Sequence, residues 1–262
     1  MTISVDPVLV HLGPFALSWY GLAVTAAIGV GVWLAIRLAR PLGIPGAELE
    51  RIAVWTLVGG LVGARALHVI DRWELYADAP VHVIAIWNGG LAIAGAVLGG
   101  TLAGAIAAWT HGIPVRALAD AVAPAAILGQ AIGRLGCLVT GDAVGAPTTG
   151  FGVTYTHPGA MVPQLGVAYE PVFLYEAAWD LGLFVVLMAL RGRLAVGQLF
   201  AAYLGLYGVG KFVITIFRVE KVWLAGLQEA QLLALAAIAL ALVWAAWPAA
   251  RRGLRIGQRA SI

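Results

Sequence analysis

The chain has 262 residues, of which 61% are hydrophobic and 11% charged, and its mean hydropathy is +0.92. A soluble globular fold does not need so apolar a composition, so a water-soluble enzyme or binding domain is excluded. The formal net charge of +3 does not indicate a nucleic-acid partner, because the basic residues lie between apolar stretches and at the carboxyl end rather than in one patch. We therefore expect a single membrane domain over residues 1–262.

Seven apolar stretches are long enough, or nearly so, to cross the membrane as helices. Spanning about 30 Å of hydrocarbon takes about 20 helical residues. The predicted spans are 18–38, 52–70, 83–109, 118–138, 172–190, 197–217 and 227–247. The 34 glycines suit helices that pack closely in lipid, where small residues let backbones approach. The sequence therefore predicts an all-α integral membrane protein with about seven transmembrane helices.

The basic residues predict the orientation of these helices. Three of the 16 Lys and Arg residues, Arg72, Arg218 and Lys221, flank the spans on one side. Ten flank them on the other side: Arg37, Arg40, Arg51, Arg116, Arg191, Arg193, Arg251, Arg252, Arg255 and Arg259. Because cytoplasmic loops carry the excess of Lys and Arg, the amino terminus is predicted to lie outside the cytoplasm and the carboxyl terminus inside.

The longest segment between spans, residues 139–171, is predicted to lie on the outer side. It contains no Lys or Arg, and its acidic residues are Asp142 and Glu170. Loops of this length in compact proteins usually carry function. We therefore expect residues 139–171 to border a site.

Charged residues inside the predicted spans are the next indication of function. They are Arg65, Arg134, Glu176, Asp180 and Lys211. Such groups are costly in the membrane, so they either form internal ion pairs, reach to the headgroups or mark sites. Glu176 and Asp180 share one helix face, where an arginine from another helix could neutralise either. We assign Asp180 and Lys211 to internal ion pairs or to contact with the headgroups. Arginine also grips phosphate with a planar fork of donors, which makes a phospholipid headgroup the candidate ligand.

Two further features have both a functional and a structural explanation. Arg134 could simply complement the carboxyl end of its helix, which favours cations. The glycine pair Gly89 and Gly90, in the stretch Trp-Asn-Gly-Gly-Leu at 87–91, could expose backbone amides to an anion or form a plain turn.

Six short motifs together resemble the prolipoprotein diacylglyceryl transferase family. The strongest match is residues 133–145, Gly-Arg-Leu-Gly-Cys-Leu-Val-Thr-Gly-Asp-Ala-Val-Gly, which is similar to the family signature. The others, in chain order, are Gly-Pro-Phe-Ala-Leu-Ser-Trp-Tyr-Gly at 13–21, Gly-Ala-Arg at 63–65, Trp-Asn-Gly-Gly-Leu at 87–91, Leu-Tyr-Glu at 174–176 and Phe-Arg at 217–218. Their order and spacing agree with the predicted topology, from about Asp6 to the last span.

The resemblance implies a reaction and a set of site residues. The family transfers the diacylglyceryl group of phosphatidylglycerol to the thiol of a lipobox cysteine in prolipoproteins, releasing glycerol phosphate, in the bacterial cytoplasmic (inner) membrane. It implies catalytic roles for Tyr20, Arg134 and Arg218, with the arginines stabilising the leaving phosphate. The residues expected to bind substrate are Arg65, Gly89, Gly90, Arg134, Asp142, Gly145, Tyr175 and Glu176. Arg65 is expected to support helix packing or the headgroup, and we predict no metal and no cofactor.

The sequence differs from the family pattern at several positions. Where the family has His-Gly-Gly after the glycine pair, residues 94–96 are Ala-Gly-Ala, so the imidazole that the resemblance implies as the base is absent. The family's two signature asparagines are Cys137 and Thr140 here, its glutamate is Asp142, and a histidine common in its opening segment is Ser18.

These departures leave alternatives open. The histidines His68, His82 and His157 fall on or near the predicted outer side and could replace the base, although packing or exposure is the simpler explanation for each. The single cysteine, Cys137, cannot form an internal disulfide and is either a small buried residue or a nucleophile. The same lipid could be transferred to a different acceptor, or the chain could bind phospholipid without catalysis; a transporter is disfavoured because no internal repeat is present.

Overall fold

The computed structural model describes residues 1–12, 15–77, 79–219 and 221–247, with the side chains of Leu12, Phe15 and Asn88 left aside. Within these residues, seven helices are long and apolar enough to cross a membrane, which confirms the predicted fold class. They are α1 (Trp19–Ala39), α2 (Gly46–Asp71), α3 (Ile93–Thr110), α4 (Val115–Thr140), α5 (Val172–Leu190), α6 (Gln198–Thr215) and α7 (Glu229–Ala246). The four predicted cytoplasmic arginines Arg251, Arg252, Arg255 and Arg259 lie outside the described residues, and the orientation of the termini stays a prediction.

The third span is shorter than predicted. The sequence predicted it over 83–109, but helix α3 begins only at Ile93. Gly89 and Gly90 have φ values of +80° and +78°, which a right-handed helix cannot include. The segment before them forms two short 3-10 helices, Pro80–Ile84 and Ile86–Asn88.

The chain divides into two compact units, which are described separately. One unit comprises residues 36–118 and contains α2 and α3, and the other comprises residues 1–35 and the chain from 119 onward. The prediction of one membrane domain over the whole length stays a prediction.

In the unit of residues 36–118, helices α2 and α3 pack through facing glycines. A Cβ atom added to Gly99 would overlap the carbonyl oxygen of Gly59 and lie 2.9 Å from the Cα of Gly63. A Cβ atom on Gly63 would in turn overlap the carbonyl oxygen of Gly95. Only glycine permits this backbone approach, which is the packing expected of helices in lipid.

Replacing Gly99 with alanine is expected to destabilise the protein by about 1–3 kcal/mol, because the new methyl group overlaps backbone that cannot move aside easily. The midpoint of thermal unfolding in detergent checks this. Gly182→Ala in α5 is the matched control, since nothing lies within 4 Å of its Cβ position. Equal midpoints for the two variants would contradict the close α2–α3 contact.

In the other unit, α1 packs along α4, and α5 and α6 complete the core. A Cβ atom on Gly129 of α4 would lie 3.3 Å from the carbonyl oxygen of Ala27 in α1. One buried cluster joins α4, α5 and α6 through Ala123, Ile127, Leu183, Leu187, Leu199 and Tyr203. Asp120 of α4 fixes the start of α6, because its carboxylate accepts hydrogen bonds from the backbone N–H groups of Gly197 and Phe200 at 2.6 and 2.9 Å.

Short strands lie outside the helices. They are β1 (Thr2–Ile3), β2 (Val8–Leu12), β3 (Phe15–Ser18), β4 (Val153–Tyr155), β5 (Ala168–Tyr169), β6 (Val222–Leu224) and β7 (Leu227–Gln228). Strand β4 pairs in parallel with β1 and antiparallel with β5, while β2–β3 and β6–β7 are antiparallel hairpins.

Residues 139–171 fold back over the ends of three helices. The Tyr155 hydroxyl donates to the carbonyl of Leu138 at 2.9 Å, and burial, with the nearby Asp142 and Cys137, raises the pKa of this phenol. The backbone N–H of Ala146 donates to the carbonyl of Phe217, just beyond α6, at 3.1 Å. The segment is thereby fixed across the ends of α4, α5 and α6.

Candidate active site

Three charged side chains from α4, α5 and α6 meet inside the unit that comprises residues 1–35 and the chain from 119 onward. The Nε atom of Arg134 lies 2.7 Å from Oε2 of Glu176, and the Nζ atom of Lys211 lies 2.5 Å from Oε1 of the same carboxylate. The Glu176 side chain is only 5% exposed, whereas that of Arg134 is 27% exposed. One buried carboxylate therefore holds two cations. Arg134, which the sequence suggested for phosphate binding, is the more accessible of the two.

A small recess opens beside this cluster. Its lining consists of Arg134, Glu176, Trp179, Asp180, Tyr207, Lys211 and Ile214. Asp180, one turn beyond Glu176, is buried. The Trp179 indole donates to the carbonyl of Leu206 at 3.2 Å, and its ring lies in the space that a side chain at Gly210 would fill. The recess thus combines a guanidinium, an ammonium and two carboxylates in a site largely shielded from solvent, where charge interactions are strong.

Tyr20 lies next to the helix that carries Arg134. A Cβ atom on Gly136 of α4 would lie 3.1 Å from the Tyr20 Cα and 3.2 Å from its ring. The buried Cys137 thiol interacts electrostatically with both Asp142 and Arg134. The structure therefore brings Tyr20, Arg134 and Asp142 to one region, with Cys137 between them.

Thr140 and Asp142 stabilise the end of α4. The Thr140 hydroxyl donates to Oδ1 of Asp142 at 2.9 Å. Cys137, Thr140 and Asp142 stand where the family signature has two asparagines and a glutamate, so the three departures within the signature are neighbours in one local network.

The other predicted residues of this unit surround the same helix ends. The backbone N–H of Gly145 donates to the Glu170 carbonyl at 2.8 Å, and a Cβ atom there would overlap the carbonyl oxygen of Phe217. The Tyr175 hydroxyl donates to Oε2 of Glu170 at 2.7 Å, and its ring meets that of Phe217 edge-on, with centroids 5.8 Å apart. Arg218 follows directly, its carbonyl accepting a hydrogen bond from Gln228 at 2.9 Å, and it interacts electrostatically with Lys211.

Arg65 belongs to the other unit, where it binds backbone carbonyls. Its guanidinium donates to the carbonyl oxygens of His82, Val83, Gly89 and Gly90 at 2.6, 2.7, 2.7 and 2.9 Å. The Tyr76 ring lies 5.1 Å from the guanidinium carbon. These contacts agree with the packing role expected of Arg65. The carbonyl groups of Gly89 and Gly90 accept hydrogen bonds from this cation. A role for Arg65, Gly89 and Gly90 in substrate binding stays a prediction.

The comparisons with known proteins identify the family. The family model described as prolipoprotein diacylglyceryl transferase matches residues 7–247. A phosphatidylglycerol–prolipoprotein diacylglyceryl transferase of Nostoc sp. is 41% identical over 254 residues, which cover 93% of this chain and 89% of that protein. Enzymes of the same name from Synechococcus elongatus and Bacillus cytotoxicus are 38% and 35% identical, each covering 92% of this chain and 88% and 91% of their own lengths. The chain belongs to the prolipoprotein diacylglyceryl transferase family.

Family membership makes the chain a multi-pass membrane transferase and confirms the resemblance inferred from its motifs. The ion pair joins two motifs of this family, because Arg134 belongs to the signature and Glu176 to the Leu-Tyr-Glu motif. Two of the six motifs, one of them the strongest match, therefore meet through a direct contact between their charged residues.

Sequence reasoning missed parts of the recess. Lys211 was assigned to an internal ion pair or to the headgroups, and the structure shows the ion pair; its sharing of Glu176 with Arg134 was not predicted. Tyr207 and Trp179 gave no signal, because aromatic residues are common in any membrane helix. Sequence spacing does not predict the contact between Lys211 on α6 and Glu176 on α5, because this contact depends on how the two helices pack.

Proposed function

We propose that this chain transfers the diacylglyceryl group of phosphatidylglycerol to the cysteine thiol of a prolipoprotein lipobox, releasing glycerol phosphate, in the bacterial inner membrane. The relatives carry the name of this activity. The observation that carries the proposal for the site is the Arg134 guanidinium, held by a buried carboxylate at the edge of a shielded recess. A phosphodiester needs such a pre-oriented donor, and a phospholipid brings its acyl chains into the surrounding membrane.

In the proposed reaction, the cysteine thiolate attacks the glycerol carbon that bears the phosphate ester. A carbon–sulfur bond forms, the carbon–oxygen bond to phosphate breaks, and the bonding electrons leave with glycerol phosphate. Negative charge therefore grows on the phosphate side, where Arg134, together with Arg218, stabilises it. The thiol must lose its proton before or during attack.

Glu176 and Tyr20 support this chemistry in different ways. Glu176 fixes the orientation of Arg134 through the 2.7 Å contact, so the guanidinium is positioned before the lipid arrives. Tyr20, packed against Gly136, is proposed to donate its hydroxyl to the lipid phosphate or to assist proton transfer.

The base remains the point at which this chain differs from its family. Ala94 provides no imidazole. His68 meets Tyr76 edge-on with centroids 6.0 Å apart, and the Nδ1 atom of His157 accepts the backbone N–H of Gly159 at 3.1 Å. Both contacts are structural. The absence of an imidazole at position 94 favours a second candidate function, a phospholipid-binding membrane protein without catalysis, and also leaves room for transfer to a different acceptor.

An assay with purified protein separates these functions. Phosphatidylglycerol and a lipobox peptide are incubated with the protein in detergent, and both the thioether product and released glycerol phosphate are measured. Formation of both in equal amounts is the expected result. Glycerol phosphate without thioether indicates another acceptor, and binding of the lipid without either product indicates the non-catalytic protein.

A further inference from the structure

Asp180 is a buried acid without a partner in the recess. It is 3% exposed, and it lines the recess beside Arg134 and Lys211. In the described part of the chain, no group donates a hydrogen bond to its carboxylate and no cation forms an ion pair with it. The internal ion pair that the sequence offered as one explanation of Asp180 is therefore not formed. An unpaired acid inside a membrane is costly, which makes it a candidate for function.

The two cations that line the recess are engaged by the other acid, Glu176. Its Oε2 atom lies 2.7 Å from the Nε atom of Arg134, and its Oε1 atom lies 2.5 Å from the Nζ atom of Lys211. Asp180, one turn further along α5, interacts electrostatically with these three groups without contacting any of them. The two acids of the recess therefore differ: one has a cation on each oxygen, and the other has none.

The remaining ionisable groups around Asp180 are phenols. Tyr203 and Tyr207 of α6 both interact electrostatically with it. The Tyr203 hydroxyl accepts a hydrogen bond from the Gln130 side chain of α4 at 2.6 Å. Phenols are uncharged near neutral pH, so they do not change the charge of the recess.

The charges of the recess balance only while no anion is bound. Two cations, Arg134 and Lys211, face two carboxylates, so the sum is zero. The phosphodiester of a lipid bound at Arg134 adds one negative charge, which repels the acids nearby and favours their neutral forms. Glu176 keeps its charge because both of its oxygens contact cations. Asp180 is therefore the acid that can take a proton at the lower cost.

We propose that Asp180 takes up one proton when the phosphodiester of a lipid binds beside Arg134, so that the recess remains electrically neutral with the lipid in place. The proton comes from the solvent and is held on the carboxyl group, and no bond of the lipid changes in this step. The inference deepens the proposed function and rests on it, because the lipid is phosphatidylglycerol and the recess is the same.

The first test measures proton uptake by the wild-type protein. Short-chain phosphatidylglycerol is titrated into the full chain in detergent by calorimetry, in pairs of buffers that differ in ionisation enthalpy. Between about pH 6 and about pH 9, binding is expected to take up as much as about one proton per lipid. Because the complex holds the proton, raising the pH is expected to increase the Kd by up to about tenfold per pH unit. Binding without proton uptake throughout this range would overturn the proposal.

Asp180→Asn keeps the shape of the side chain but cannot take up the proton. The variant is expected to bind phosphatidylglycerol without proton uptake. At about pH 9 its Kd is expected to be at least about tenfold lower than that of the wild-type protein, because no carboxylate opposes the phosphate. Loss of packing alone does not produce such a gain in affinity. Unchanged proton uptake in this variant would assign the proton to another group, such as Lys211, and would contradict the proposal.

Asp71→Asn is the matched control, since it makes the same chemical change outside the recess. The Asp71 side chain, at the end of α2, is 72% exposed and lies 3.4 Å from the Nε atom of Arg72. Its replacement is expected to leave both the proton uptake and the Kd unchanged. An equal loss of proton uptake in the two asparagine variants would exclude a role specific to Asp180.

Diacylglycerol, which lacks the phosphate, is the reference lipid. It is expected to bind without proton uptake, and uptake equal to that with phosphatidylglycerol would show that the phosphate charge is not the cause. If Asp180→Asn does not yield folded protein by its unfolding midpoint, this comparison of two lipids on the wild-type protein decides the proposal.

Failure of this inference differs from failure of the proposed function. Proton-linked binding of phosphatidylglycerol without release of glycerol phosphate would support the role of Asp180 and reject the transfer reaction. Release of glycerol phosphate after binding without proton uptake would have the opposite meaning. A wild-type protein that does not bind phosphatidylglycerol would overturn both.

Discussion

Arg134→Ala is expected to lower glycerol phosphate release by about 10²- to 10³-fold, the loss typical when a donor to a developing oxyanion is removed. The substitution deletes the guanidinium that Glu176 holds at 2.7 Å at the edge of the recess. In the proposed reaction, this guanidinium both binds the phosphodiester and stabilises the leaving phosphate, so kcat/KM is expected to fall more than kcat alone. Initial rates with phosphatidylglycerol and a lipobox peptide provide the measurement.

Two companion variants show whether the effect belongs to the guanidinium. Arg134→Lys keeps the charge but loses the planar fork, and it is expected to remain well below the wild-type rate. Arg51→Ala removes an arginine that pairs with Glu48 at 2.9 Å and whose side chain is 63% exposed, so the rate should not change. Arg134→Ala activity within threefold of the wild type, with the protein folded, would be incompatible with the proposed site.

The ion pair also shows how far sequence reasoning reached. The spacing of Glu176 and Asp180 placed both carboxylates on one helix face and predicted an arginine partner from another helix, and the structure provides Arg134 for Glu176. The spacing did not decide which acid would be chosen or that Lys211 would share it. Those details depend on the packing of α4, α5 and α6, which helical periodicity does not encode.

The ends of a helix could be predicted from the sequence only where the apolar stretch and the helical backbone end at the same residues. Helix α5 has the predicted bounds, Val172–Leu190, because proline precedes it and charged residues follow it. Helix α2 begins at Gly46 rather than near residue 52, since the helix continues through the charged residues that the apolar window excluded. The late start of α3 follows from the positive φ of Gly89 and Gly90, which hydropathy does not detect.

Ala94→His is expected to raise the rate of diacylglyceryl transfer by about 10²-fold, the lower end of the range for general acid–base catalysis. Position 94 is the second residue of α3 and is exposed, so an imidazole can be placed there without displacing packed side chains. The amino-terminal end of a helix disfavours a cation, which keeps the imidazole neutral and able to accept the proton of the acceptor thiol. The gain in rate is therefore expected at pH values above the usual histidine pKa of about 6.5. It is expected to diminish at lower pH, as the ring is protonated.

Complementation of cells that lack their own diacylglyceryl transferase provides the test in the membrane. The unmodified chain is expected to give partial or no rescue, Ala94→His better rescue, and Ala94→Gln, which adds a polar side chain that does not titrate, no improvement. Full rescue by the unmodified chain would show that another group takes the thiol proton and that the imidazole is dispensable here. In the proposed reaction Arg134 acts on the phosphate and the introduced imidazole on the thiol. Arg134→Ala is therefore expected to abolish rescue in both backgrounds, which separates loss of the lipid site from loss of the base.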